Sequence, residues 1–159
     1  MNPKRSATPE HADREIVISR LLDAPRELVF QMFVEAEHLA QWWGPRGYTN
    51  PVCELDVRPG GTWCNVMRSP DGVEIPTTFV YREIVAPERI VYSSFGSGGP
   101  APGALTTLTF EDHNGKTLLT INSVFSSAAD REATARMGHI EGVNQSLERL
   151  AVALAGRRS

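Results

Sequence analysis

The sequence predicts an α+β domain in which a curved antiparallel sheet of about seven strands grips a long C-terminal helix, with two short helices after the first strand. Three observations predict it. Strand-like runs follow one another across short Gly, Pro and Asn turns between residues 52 and 123, which implies an antiparallel meander. One turn, Asn114-Gly115, fixes a register by itself. The C-terminal stretch carries an apolar stripe at helical spacing, broad enough to need a concave sheet face as its partner.

Glu15 to Leu22 is β-branched and partly alternating, which suits the first strand. Asp23 reads as a helix N-cap with Pro25 in the first turn, followed by Leu28, Val29, Met32 and Phe33 at helical spacing. A second short helix covers Ala36 to Gln41 and stops at Trp42-Trp43-Gly44-Pro45, because proline disfavours a helical residue before it. Val52 to Arg58 and Thr62 to Ser69 pair across Pro59-Gly60-Gly61. Centring that turn on Pro59-Gly60 places Glu54, Asp56, Trp63, Asn65 and Met67 on one face and Cys53, Leu55, Val57, Thr62, Cys64 and Val66 on the other. Periodicity leaves open which face turns inward. Thr77 to Val85 and Ile90 to Phe95 form the next pair.

Asn114-Gly115 is the preferred two-residue hairpin turn. Folding about it opposes Phe110 to Leu119, Leu108 to Ile121 and Thr106 to Ser123, so turn chemistry and burial select the same register. A single helix then runs from Asp130 to about residue 155. Its stripe is Met137, Ile140, Asn144, Leu147, Ala151 and Leu154, widened by Val143 and Leu150. Arg136, Glu141, Gln145, Glu148 and Arg149 take the far side. Residues 1–13 read as a flexible tail, 14–156 as the domain and 157–159 as a frayed end.

Composition narrows the function. A net charge of -3 offers no basic surface for a phosphate backbone, which argues against nucleic acid as a partner. No apolar run is long enough to span a membrane, and the polar N-terminus has no secretory h-region, so a cytoplasmic location is expected. Cys53 and Cys64 have no metal-ligand spacing and read as buried free thiols. The histidines at 11, 38, 113 and 139 form no HxxxH or HExxH pattern, so no metal or cofactor is expected. His38 and His113 are expected to be exposed.

Four segments resemble the START-like (SRPBCC) superfamily, in the branch similar to the C-terminal domain of the heat-shock-protein-90 ATPase activator. They are Ala24-Pro25-Arg26-Glu27-Leu28-Val29-Phe30, Trp42-Trp43-Gly44-Pro45, Asp56-Val57-Arg58-Pro59-Gly60-Gly61 and Ala86-Pro87-Glu88-Arg89-Ile90-Val91. The resemblance covers about residues 14 to 155 and implies the helix-grip fold with a cavity beneath the last helix. The branch often carries Gly-Trp where this chain has Gly142-Val143.

Candidate site residues follow from these placements. Trp43 is either a cavity wall or, with Trp42, a core plug. Asp56 and Arg58 are either a buried polarising pair or a brace for the Pro59-Gly60-Gly61 turn. Trp63, Asn65 and Met67 line the cavity if their face is the inner one, together with Val143 and Asn144 from the helix. His139, at the stripe's edge, is the first candidate for a general base, with Glu54 second. Gly96 to Gly103 is a loop and a candidate lid.

The leading expectation is a protein that binds a hydrophobic or amphipathic small molecule, as a monomer or homodimer. One alternative is a cyclase- or hydrolase-like enzyme using Glu54, Asn65, His139 and Asn144. The other, implied by the resemblance, is a stress-response co-chaperone whose partner is a chaperone ATPase; 159 residues leave no room for a separate chaperone-binding domain.

Overall fold

The computed structural model describes residues 12–95 and 103–158. The expected tail, apart from a short 3₁₀ turn at Ala12–Arg14, and the candidate lid up to residue 102 lie outside the described residues. Seven strands form one antiparallel sheet: β1 (Glu15–Leu22), β2 (Thr49–Leu55), β3 (Thr62–Arg68), β4 (Glu74–Val85), β5 (Arg89–Phe95), β6 (Leu105–His113) and β7 (Lys116–Val124). Their order is β1-β7-β6-β5-β4-β3-β2, so β1 and β2 are the edges. The helices are α1 (Arg26–Val34), α2 (Ala36–Trp42), α3 (Ala128–Arg136) and α4 (His139–Arg158).

The β6–β7 register is the one the turn dictates: Phe110 opposes Leu119, Leu108 opposes Ile121 and Thr106 opposes Ser123. Asn114 and Gly115 both take positive φ, 56° and 85°, as this turn demands. The β2–β3 register differs from expectation by one residue, with Leu55 opposite Trp63 and Cys53 opposite Asn65. Centring the turn on Pro59-Gly60 would oppose Leu55 to Cys64, so the observed connection is one residue shorter. Gly60 N–H donates to the Tyr81 carbonyl at 2.8 Å and Tyr81 N–H to the Gly61 carbonyl at 2.9 Å, so both glycines belong to the seam with β4. A Cβ on Gly61 would stand 2.0 Å from the Asp56 carbonyl oxygen, which makes glycine obligatory there. The one-residue slip moves every β2 side chain to the opposite face. Glu54 therefore leaves the face of Trp63, Asn65 and Met67 and stands exposed, while Cys53 and Leu55 turn inward.

Other boundaries move for local reasons. Pro25, not Asp23, occupies the N-cap of α1, and no side chain caps that end. Ser127 caps α3, accepting from the Asp130 N–H at 3.1 Å, so the helix starts two residues earlier than expected. The expected single C-terminal helix is two helices, because Gly138 takes φ 82° and the chain restarts. The restart moves the start of the inward line, where His139 and Val143 replace Ile140 and Asn144, and leaves Leu147 and Leu154 in it. His139, Val143, Leu147, Leu150 and Leu154 face the sheet, whereas Met137 is 72% and Ile140 38% exposed. The helix continues to Arg158, through the segment expected to fray.

The core lies between the concave face and the helices. Phe30 and Phe33 of α1 meet Phe110 edge-on at 5.2 and 5.5 Å, and Trp42 meets Phe33 at 4.8 Å. Trp42 also donates its indole N–H to the Met32 carbonyl at 3.1 Å, which satisfies its polar atom at 1% exposure.

Candidate functional site

Beneath α4 lies a cavity of about 270 Å³, open on one side. Its floor is the concave face of β3 to β7, its roof is α4, and the end of α2 closes one wall. The aromatic wall is continuous: Trp43 packs on Trp63 at 4.7 Å, Trp63 on Phe79 at 4.5 Å and Phe79 on Tyr92 at 4.9 Å. Trp43 is half-buried and lines the space with Met67, His139 and Val143. Trp42 also touches it, so the Trp-Trp pair is both core and wall.

Four expected residues fall elsewhere. Trp63 is 1% exposed and backs the wall from behind, its ring covered by Trp43. Asn65, equally buried, donates to the Asn50 side chain at 2.9 Å, while its side-chain amide oxygen, Oδ1, has no partner among the described residues. Asn144 misses the cavity because the restart at Gly138 rotates α4, and Glu54 misses it because of the register slip. The four polar groups of the enzyme reading thus share no common void; His139 alone lines it.

The wall next to Trp43 is held by a device that sequence reasoning missed. Arg149 donates from one guanidinium nitrogen to the carbonyls of Trp43, Gly44 and Pro45 at 3.2, 2.9 and 3.0 Å, and from the other to Gln41 at 3.1 Å. A cation thereby satisfies the open carbonyls at the C-terminal end of α2. Gly44 N–H donates to Ser146 Oγ at 3.0 Å and Arg46 pairs with Glu148 at 2.9 Å, so α4 fixes the whole turn. Asn50 grips it from the other side, donating to the carbonyls of Ala40 and Trp43 at 3.0 and 2.8 Å.

The electrostatics are simple. No Asp, Glu, Lys or Arg lines the cavity among the described residues. Burial pushes the His139 imidazole below its usual range, which keeps it neutral near neutral pH, and pushes the Tyr92 phenol well above its own. Thr106 and Ser123 hydroxyls meet at 2.9 Å on the floor, and Tyr92 bonds to Thr106. Cys53 and Cys64 are free and half-buried rather than fully buried, and desolvation lifts the Cys53 thiol to about 11, so it stays protonated.

Polar residues away from the cavity form local pairs. Asp56 accepts from Arg58 Nε on both carboxylate oxygens at 3.0 Å, an exposed brace on the turn. His113 is exposed as expected, but His38 is buried: it sits on the inner side of α2 and meets Glu35 at 3.1 Å. Glu35, Glu37 and His38 lie within 4.8 Å of one another, a grouping that the Glu-x-Glu-His order could have flagged. Glu35 is already engaged there by His38 and by Gln31 at 2.9 Å. No described helix is long and apolar enough to cross a membrane.

This architecture recurs in solved structures. A protein from Nitrosomonas europaea superposes with a TM-score of 0.83 at 23% identity, covering 92% of this chain and 97% of its own. One from Mycobacterium smegmatis gives 0.84 at 22%, covering 96% of each. One from Rhizobium leguminosarum gives 0.68 at 30% identity, covering 89% of this chain and 93% of its own. No curated protein matches the sequence. The sequence profile described as "Activator of Hsp90 ATPase homolog 1-like protein" matches residues 23–155, from the approach to α1 almost to the end of α4. The chain therefore belongs to the Activator of Hsp90 ATPase homolog 1-like family, within the START-like superfamily.

Proposed function

We propose that this protein binds a small hydrophobic or amphipathic molecule between the sheet and α4. The observation that carries the reading is the cavity itself: preformed, aromatic-walled and reachable from one side. At about 270 Å³ it sits just below the ~300–1,000 Å³ range of ligand pockets, which favours a compact ring system over a long acyl chain. Burying an apolar ring there gains about 25 cal/mol per Å² removed from water, with little ordering cost because the walls are already fixed. The cyclase or hydrolase alternative needs a second convergent polar group, and Glu54, Asn65 and Asn144 lie off the lining.

Isothermal titration with naphthalene-sized probes tests the reading. The wild type should bind saturably, and Val143→Trp, which fills the roof, should weaken binding at least about tenfold while keeping the fold. A wild type with no saturable response to any such probe overturns it.

A further inference from the structure

The cavity's polar atoms divide into two sets. Most are already engaged. Thr106 and Ser123 bond to each other at 2.9 Å, Tyr92 bonds to Thr106, Thr77 donates to the Asn65 carbonyl at 3.3 Å, and Ser146 accepts from Gly44 N–H at 3.0 Å. Three side chains of the lining have no hydrogen-bond partner among the described residues: Trp43, Tyr48 and His139. The Trp43 indole can only donate. A neutral imidazole offers a nitrogen lone pair, a better acceptor than a phenol oxygen, and His139 sits on the first turn of α4 among Thr134, Met137 and Val143.

Charge excludes the other classes of ligand. A carboxylate or ammonium entering this space would shed its hydration with no opposite charge to meet it. We propose that the cavity selects an uncharged, ring-bearing molecule that carries a hydroxyl group, and that the His139 imidazole accepts the hydrogen bond from that hydroxyl. This rests on the ligand-binding reading above. The lining also holds Tyr48 and Tyr92, and burial raises the Tyr92 phenol further above its ordinary range. On the neighbouring turns Glu141 accepts from Gln145 at 3.1 Å, and Arg136 is exposed. His139 is thus the group whose protonation the ligand senses: once charged, it loses the acceptor nitrogen.

The test is calorimetric, with four probes: naphthalene, 2-naphthol, 2-methoxynaphthalene and 2-naphthoate. At about pH 7.5 the wild type should bind 2-naphthol about fivefold tighter than naphthalene or 2-methoxynaphthalene, and 2-naphthoate weakest of all. At about pH 5 the 2-naphthol advantage should shrink while naphthalene binding holds. His139→Phe should abolish both the advantage and its pH dependence, and Tyr48→Phe should preserve them. Equal binding of the three neutral probes, tightest binding of the anion, or loss of the preference in Tyr48→Phe alone overturns the proposal and leaves the ligand-binding reading standing. Failure of all four probes strikes that reading instead.

Discussion

Arg149 shows how a single side chain can set a wall of the cavity. Its position marked it for the solvent side of the helix, and its neighbours Gln145 and Glu148 reinforced that. Instead its long stem carries the guanidinium across to four carbonyls at the end of α2. Periodicity registers polarity and is blind to reach, so this contact was not legible. Arg149→Met should cost about 2–3 kcal/mol in urea unfolding, because four hydrogen bonds from a charged donor are lost and three part-buried carbonyls are left open. Arg149→Lys should recover less than half of that, since a point charge cannot span the same fork of acceptors. Equal stability of all three proteins would mean that the turn holds itself.

Elements were readable where two independent rules agreed. At Asn114-Gly115 the turn type and the apolar pairing of Leu108 with Ile121 point to one register, and the sheet adopts it. At Pro59-Gly60-Gly61 the turn signal stood alone, and long-range bonds to Tyr81 shifted it by one residue. The helix break was hidden for a related reason. Met137, Ile140 and Asn144 continue a helical period through Gly138, and a lone glycine inside such a pattern does not by itself end a helix. Its φ of 82° does end it, and that rotation decides that His139 and Val143, not Asn144, meet the cavity. Gly138→Ala should destabilise by about 1 kcal/mol in urea unfolding, the cost of a left-handed backbone for a residue with a Cβ. A neutral or stabilising effect would show that the junction tolerates a continuous helix.

For the whole molecule, the order of strands and their antiparallel meander were legible, because short connections and one wide helical stripe admit few arrangements, whereas the long-range pairing of β1 with β7 leaves no local pattern. The interior space was legible only as an expectation, since its size depends on side chains contributed by nine different helices and strands. That space also couples to global stability. Burial holds His139 below its unfolded value of about 6.5, so protonation opposes folding. The sign follows: the contribution is present above about pH 6.5 and is lost as the pH falls toward the depressed folded value. Melting temperatures between about pH 7.5 and 5 should therefore fall more steeply for the wild type than for His139→Phe. Parallel curves would mean that the ring reaches water freely in the folded state.

The outer border of the sheet at β2 carries a further consequence. A bare strand there would offer a row of free amides to any second chain that approached. Pro51 contributes no N–H, and the pairing of β2 with β3 jumps between Thr49 and Val52. Asn50 is meanwhile tied back to the end of α2. An incoming strand meets an interrupted ladder along that margin, so the segment whose Asn50 seats the Trp-Trp turn also makes the rim a poor template for polymerisation.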